Sequence, residues 1–201
     1  MDQRTTSSLR VGVVGNFPPR KCGLATFTAD IVAAITQSGC STTVVAMNDT
    51  PTGYQYDTQV AAQVDVEDPA SFTHAAQFLN SQNVDVVCLQ HEFGIFGPKS
   101  GFNILHLLRH LRMPVVTTLH TILQDPNEDQ RAVIDEILEL SQRVIVMSEK
   151  GRKILLDSTR MDPDHIDAIP HGCPHVEYSN QDAFKAQLGM ENRKLILTFG
   201  L

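Results

Sequence analysis

The sequence predicts an α/β fold, a doubly wound parallel sheet with helices on both faces. Two observations predict it: short apolar runs alternate with amphipathic stretches at helical spacing, and turn formers punctuate nearly every junction. A third concerns the strand ends. Three of the apolar runs finish on a histidine, Val86-Val87-Cys88-Leu89-Gln90-His91, Val115-Val116-Thr117-Thr118-Leu119-His120 and Ile166-Asp167-Ala168-Ile169-Pro170-His171. In an open parallel sheet the carboxyl ends of the strands line the ligand crevice, so three imidazoles at equivalent ends suggest one site.

Residues 9–14 form a continuous apolar run, as in the first buried strand of a parallel sheet. A loop over 15–23 leads into a helix over 25–38, where Phe27, Ile31, Val32 and Ile35 recur at helical spacing and Gly39 supplies the stop. Residues 42–47 make a second strand. The turn-rich stretch 48–57 precedes a weaker strand over 59–66, and Pro69 opens a helix reaching about Gln82.

The pattern then gives a strand over 84–91, a helix over 101–111, a strand over 114–120 and a helix over 127–141 with Val133, Ile134, Ile137 and Leu138 turned inward. A strand over 143–147 follows. Ser148 caps a helix to about Ser158, and 165–169 is a last short strand. Such alternation implies right-handed crossovers and a Rossmann-like domain. A short helix over 182–188 and a fresh strand over 194–198 complete the reading, so the chain divides into an irregular start over 1–8, a Rossmann-like domain over 9–190 and the beginning of another unit over 191–201.

An apolar share of 42% with 19% charged residues excludes a disordered chain. The formal net charge of −7 argues against nucleic acid as a partner, because phosphate-backbone binders carry clustered cations. No apolar run approaches the roughly 20 residues that span a bilayer, and residues 1–8 lack a signal peptide's apolar core, so integral membrane insertion is not expected and a cytoplasmic location is. The four cysteines form no C-x-x-C pair. His171-Gly172-Cys173-Pro174-His175 gathers three possible ligands but lacks a fourth, so no metal site is expected.

The loop Asn16-Phe17-Pro18-Pro19-Arg20-Lys21-Cys22-Gly23-Leu24 lies where doubly wound folds place phosphate-binding turns. It matches neither the dinucleotide pattern G-x-G-x-x-G nor the Walker pattern. Gly23 would let backbone amides approach an anion, with Arg20 and Lys21 adding charge; a proline-stiffened surface loop explains the same residues equally well. His91 and Glu92, continuing into Phe93-Gly94-Ile95-Phe96-Gly97, offer hydrogen bonds to sugar hydroxyls, against the alternative of a histidine that only holds its own loop. Thr121 and Ser148 extend the polar edge, although Ser148 equally fits a helix cap. Asp162-Pro163-Asp164 precedes a strand, at the end of the sheet opposite the histidines, and reads as a turn.

Together, Phe17-Pro18-Pro19-Arg20-Lys21-Cys22-Gly23, Gln90-His91-Glu92-Phe93-Gly94-Ile95-Phe96-Gly97, Thr118-Leu119-His120-Thr121 and Ile169-Pro170-His171-Gly172 resemble the amino-terminal half of a bacterial glycosyltransferase of family 4. The resemblance implies a GT-B architecture, two Rossmann-like domains with the active site between them. It implies that this domain holds the acceptor, and that 191–201 begins the domain binding the nucleotide-sugar donor. It implies transfer with retention of configuration to an acceptor hydroxyl, with no cofactor and no metal ion. His120 would then be the catalytic histidine contacting the reacting sugar, and Arg20, Lys21, Gly23, His91, Glu92, Thr121, Ser148, His171 and Gly172 would contact substrates. Pro98-Lys99-Ser100-Gly101 replaces a more acidic, glycine-rich continuation. Without a donor domain the chain would be inert, since the leaving-group electrostatics would be missing. Two alternatives stand beside this reading: a sugar- or phosphate-binding module, or half of a split enzyme, without chemistry of its own; and a fragment like a sugar-nucleotide epimerase.

Overall fold

The computed structural model describes residues 8–173 and 177–198 of the 201-residue chain. Residues 1–7 of the irregular start, the last ligand of the histidine-cysteine cluster, His175, and residues 199–201 of the unit expected over 191–201 lie outside the described residues. The chain forms two compact units that meet at the His171–Gly172 bond.

The first unit is built on seven parallel strands: β1 (Arg10–Gly15), β2 (Ser41–Asn48), β3 (Val60–Asp65), β4 (Val86–His91), β5 (Val115–Leu119), β6 (Arg143–Val146) and β7 (Ile166–Ala168). Their order is β3-β2-β1-β4-β5-β6-β7, so the chain winds outward in one direction from β1 and then in the other from β4. That reversal makes the β1/β4 border the place where neighbouring loops diverge and leave a crevice. The expected α/β fold, a doubly wound Rossmann-like parallel sheet, is what the chain adopts.

The apolar runs become strands because both faces of the sheet are covered. Val13, Val14, Val44, Val45, Val87 and Leu89 are fully buried. One face carries Val14, Val45, Leu89 and Phe72 in a large cluster, and the other carries Val13, Val44 and Val32. A third cluster joins Leu119, Val144 and Val146 to Leu155.

Helix α1 (Gly23–Gln37) starts with the Cys22 thiol accepting the Ala25 N–H, and α2 (Pro69–Ser81) starts with Asp68 capping Ala70 and proline in its first turn. Helix α5 (Glu128–Leu140) opens on a reciprocal Asn127/Gln130 capping box, and its Val133, Ile134, Ile137 and Leu138 are buried as the spacing requires. Helix α6 (Glu149–Ser158) is capped by Ser148, whose hydroxyl accepts the Gly151 N–H at 3.0 Å. Asp162 caps a single 3₁₀ turn over Pro163–His165, as expected of a turn before a strand.

The helix expected over 101–111 is broken. A single turn, α3 (Pro98–Gly101), is followed by α4 (Ile104–Leu108). Lys99 and Ser100 have φ of 49° and 58°, and Gly101 has φ of 83°, so the backbone turns left-handed before a right-handed helix can start. The strands expected over 114–120 and 165–169 also end sooner: β5 stops at Leu119 and β7 at Ala168, leaving His120 one residue and His171 three residues past their strands.

In the second unit, α7 (Gln181–Gln187) is capped by Asn180, one residue from the helix the sequence predicts. Residues 194–198 form no strand. An extended segment becomes a strand only through a neighbour's backbone groups, and none of the described residues pairs with it. Ile196 and Leu197 are 97% and 74% exposed.

Candidate functional site

Residues at the end of β4, just past β5 and β7, and at the start of α1 converge at the carboxyl edge of the first unit. His120 is the centre of the group. It is half-buried, its backbone N–H donates to the His91 carbonyl at 3.0 Å, and its Nε2 lies 3.0 Å from Gln90 Oε1. Burial lowers its pKa from the ordinary imidazole range, with neighbouring Glu92 opposing and His171 adding to the effect. The shift favours the uncharged ring.

Phe27, on the first turns of α1, meets His120 edge-on at 4.7 Å between centroids and His171 at 4.8 Å. The helical spacing predicts Phe27 as a core residue. It is half-buried instead, and one aromatic edge brings the histidines after β5 and β7 to the same place.

His91 departs from its expected role as a substrate contact. It is completely buried, with Phe93 edge-on at 5.1 Å and Phe96 stacked at 5.9 Å. The cause is its position as the last residue of a central strand, beneath the loop that continues through Phe93 and Phe96. Neither ring nitrogen has a hydrogen-bond partner among the described residues. Desolvation, with a lesser contribution from His120, pushes its pKa down to about 3.

Glu92 and Thr121 do reach the same edge, and they engage each other: the Thr121 hydroxyl donates to Glu92 Oε2 at 2.6 Å, while Oε1 accepts the Phe93 N–H at 2.9 Å. The carboxylate thus ties the loop after β4 to the loop after β5. Ser148 serves as the α6 cap, and its oxygen is occupied by the Gly151 N–H. The helix requires an acceptor at that position, which is the capping role the sequence also allowed for Ser148.

Arg20 is also committed within the chain. Its guanidinium pairs with Asp49 at 2.7 Å and donates to Asn16 Oδ1 at 3.0 Å, fastening the loop after β1 to the end of β2. Tyr54 donates to the same Asp49 at 2.8 Å, which raises the phenol pKa. Lys21 is exposed. Gly23 is the first residue of α1, and a Cβ built on it would meet nothing within 4 Å, so open space lies beside its Cα. Gly172 belongs to the second unit and is exposed.

Gln90 is the residue that sequence reasoning missed. It is fully buried as the penultimate residue of β4, its amide nitrogen 3.4 Å from Cys88 Sγ and its oxygen on His120. A signal was present: a carboxamide inside a buried strand must find partners, and its neighbours in space are where to look. Gly15 makes room for it, since a Cβ there would stand 3.0 Å from Gln90 Cβ and 3.4 Å from Thr28 Oγ1.

A cavity of about 890 Å³ lies elsewhere. Pro114, Gln142, Asp162 and His165, which precede β5, β6 and β7, line it, so it opens at the amino edge of the sheet. Doubly wound sheets bind ligands at the opposite edge, and the convergent polar groups are there. Among the described residues no group of three or more His, Cys, Asp or Glu side chains is arranged to hold a metal ion. No helix among them is long and apolar enough to cross a membrane.

No curated protein matches. A glycosyltransferase from Rickettsia africae has 12% identity and a TM-score of 0.60, covering 92% of this chain and 51% of its own. A putative UDP-N-acetylglucosamine 2-epimerase from Listeria monocytogenes has 14% identity and a TM-score of 0.57, covering 80% of this chain and 44% of its own. An alpha-glucosyltransferase solved with UDP and a 13-mer DNA has 13% identity and a TM-score of 0.56, covering 82% of this chain and 42% of its own. The chain thus spans about half the length of the structures it matches, or less, and at these identities the likeness concerns the fold. The family profile described as Glycosyltransferase Family 4 matches residues 22–176, a span that starts at the cap of α1 and takes in Phe27, Gln90, Glu92 and His120. With that profile lying over most of the chain and over the convergent edge, the protein belongs to Glycosyltransferase Family 4.

Proposed function

We propose that this chain is the acceptor-side domain of a retaining glycosyltransferase that moves a sugar from a nucleotide-sugar donor to an acceptor hydroxyl. The observation that carries the reading is the neutral His120, held by buried Gln90 beside the β1/β4 border, within the span of the family profile. An uncharged imidazole at that edge hydrogen-bonds and polarises a sugar hydroxyl without the strength of a general base. In the transfer, the bond from anomeric carbon to diphosphate oxygen breaks as the acceptor oxygen bonds to that carbon. The acceptor's proton leaves with the diphosphate. No cofactor or metal ion enters this scheme.

Gly23, with open space beside its Cα at the start of α1, suits the approach of an anionic group, with exposed Lys21 nearby in sequence. Arg20 acts here through Asp49 and Asn16, shaping the loop. Glu92 and Thr121 brace the acceptor side. The net charge of −7 argues against a nucleic-acid acceptor. Donor recognition is assigned to a second domain, a reading supported by the chain's spanning 51% of the Rickettsia africae structure. By itself the chain is then inert.

Calorimetric titration of the chain with UDP, GDP and ADP sugars tests the division of labour. Little or no heat is expected, and tight binding of any of them overturns it. In a longer protein that contains this chain, His120→Ala is expected to lower turnover about 10²-fold with the fold intact. Unchanged turnover removes His120 from the reaction.

A further inference from the structure

We propose that Gln90 is a positioning residue that locks His120 as its Nε2–H tautomer, so that Nδ1 is the lone pair offered to a hydroxyl donor on the sugar. The inference deepens the transferase reading and rests on it for the identity of the hydroxyl; the lock itself is a property of the chain.

Gln90 is fully buried at the end of β4, and its carboxamide has two different ends to satisfy. The Nε2 end lies 3.4 Å from Cys88 Sγ. Burial pushes the Cys88 thiol up to about 11, so the sulfur is a neutral group that can accept the amide N–H. The Oε1 end lies 3.0 Å from His120 Nε2. A carbonyl oxygen can only accept, so the imidazole nitrogen facing it must carry the proton. In a neutral ring the proton on Nε2 leaves Nδ1 as the acceptor. Among the described residues Nδ1 has no hydrogen-bond partner.

Amide orientation and ring tautomer are coupled here, because reversing the amide would put an N–H against Nε2 and force the proton to Nδ1. The backbone fixes both partners: His120 N–H donates to the His91 carbonyl, and Gly15 leaves the space that lets Gln90 pack against β1. A neutral carboxamide at this place also differs in consequence from a carboxylate. It orients the ring without drawing it into the imidazolium form, consistent with the lowered pKa that burial imposes on His120. An acceptor nitrogen selects a ligand bearing an O–H at that point over one whose corresponding group is an ether or is absent.

The test reads the tautomer directly in this chain by two-bond ¹H–¹⁵N correlation of the imidazole rings at pH 8, with His120→Ala to assign the signal. The expected result is a protonated Nε2 and an unprotonated Nδ1. In Gln90→Met, of similar volume but without an acceptor, that pattern is expected to give way to a mixture or to its reverse. In Gln90→Glu the His120 pKa is expected to rise by one unit or more, as a carboxylate favours the charged ring. A wild-type ring protonated on Nδ1, or an unchanged tautomer in folded Gln90→Met, overturns the proposal. Should Gln90→Glu fail to fold, Gln90→Met carries the decision. Since no turnover enters the measurement, failure of the lock is distinguishable from failure of the transferase reading, which His120→Ala decides in the longer protein.

Discussion

Phe27 stands edge-on to His120, with ring centroids 4.7 Å apart and planes at 88°. The contact joins the start of α1 to the end of β5, two elements far apart in sequence, and shields one side of the imidazole. Burial is the leading cause of the depressed His120 pKa. Phe27→Ala is expected to rehydrate the ring and raise that pKa toward 6.5, measured by NMR titration of the assigned resonance. The half-buried phenyl should cost about 1–2 kcal/mol of stability when removed. A pKa that stays put would show that other groups exclude the water.

His91 makes a separate prediction about pH. Its folded pKa of about 3 lies below the 6.5 of an unfolded chain, so between those values the unfolded state binds the extra proton. The stability this group contributes is present above pH 6.5 and falls by about 1.4 kcal/mol per pH unit as the pH drops toward 3. In His91→Met the slope from this residue disappears. The variant should also gain about 1–3 kcal/mol at pH 7.5, because both ring nitrogens are buried without partners among the described residues. Urea unfolding of the two proteins at pH 7.5 and 5 checks both statements, and parallel losses in the two would refute the first.

Gly97 and Ser100 respond in opposite directions to a change of side chain. Gly97 has φ of 86°, and a Cβ there would collide with the Val66 carbonyl oxygen and stand 2.7 Å from Asn103 Nδ2. Asn103 donates to that same carbonyl at 2.9 Å, so neither neighbour can yield. Gly97→Ala should lose roughly 3–5 kcal/mol in denaturant unfolding. Ser100, with φ of 58°, pays for a left-handed backbone that glycine adopts freely; Ser100→Gly should gain about 0.5–1 kcal/mol by the same measurement.

Ser148→Ala is expected to lose about 1 kcal/mol, the value of a helix N-cap, and Ser148→Asp to keep most of it. Thermal unfolding midpoints of the three proteins decide this. Equal midpoints for wild type and Ser148→Ala would mean that the cap is dispensable.

The expected order of elements through α6 could be read because each signal is local. Alternating patterns, Pro69 at a helix start, the Asn127/Gln130 box and Ser148 all act within a few residues of themselves. The left-handed turn at Lys99 and Ser100 could not, since apolar residues over 102–111 fit one helix as well as two short ones. At the candidate site, His91 and His120 do stand at the carboxyl edge of the sheet, as the strand-end pattern predicts. Their exposure did not follow: His91 lies under the loop of Phe93 and Phe96, while His120 is half open.

Two kinds of information are therefore separated in this protein. The sequence by itself determined the alternation of strands and helices, the carboxyl-edge position of His120, Glu92 and Thr121, and the family resemblance that the profile over 22–176 bears out. Only the tertiary structure decided that Arg20 is spent on Asp49, that Ser148 is spent on α6, and that Gln90 holds His120. The reason is physical. Secondary structure answers to periodicity along the chain, whereas a side chain's partner depends on strand order and on which loop closes over it, and those are fixed by contacts between residues distant in sequence.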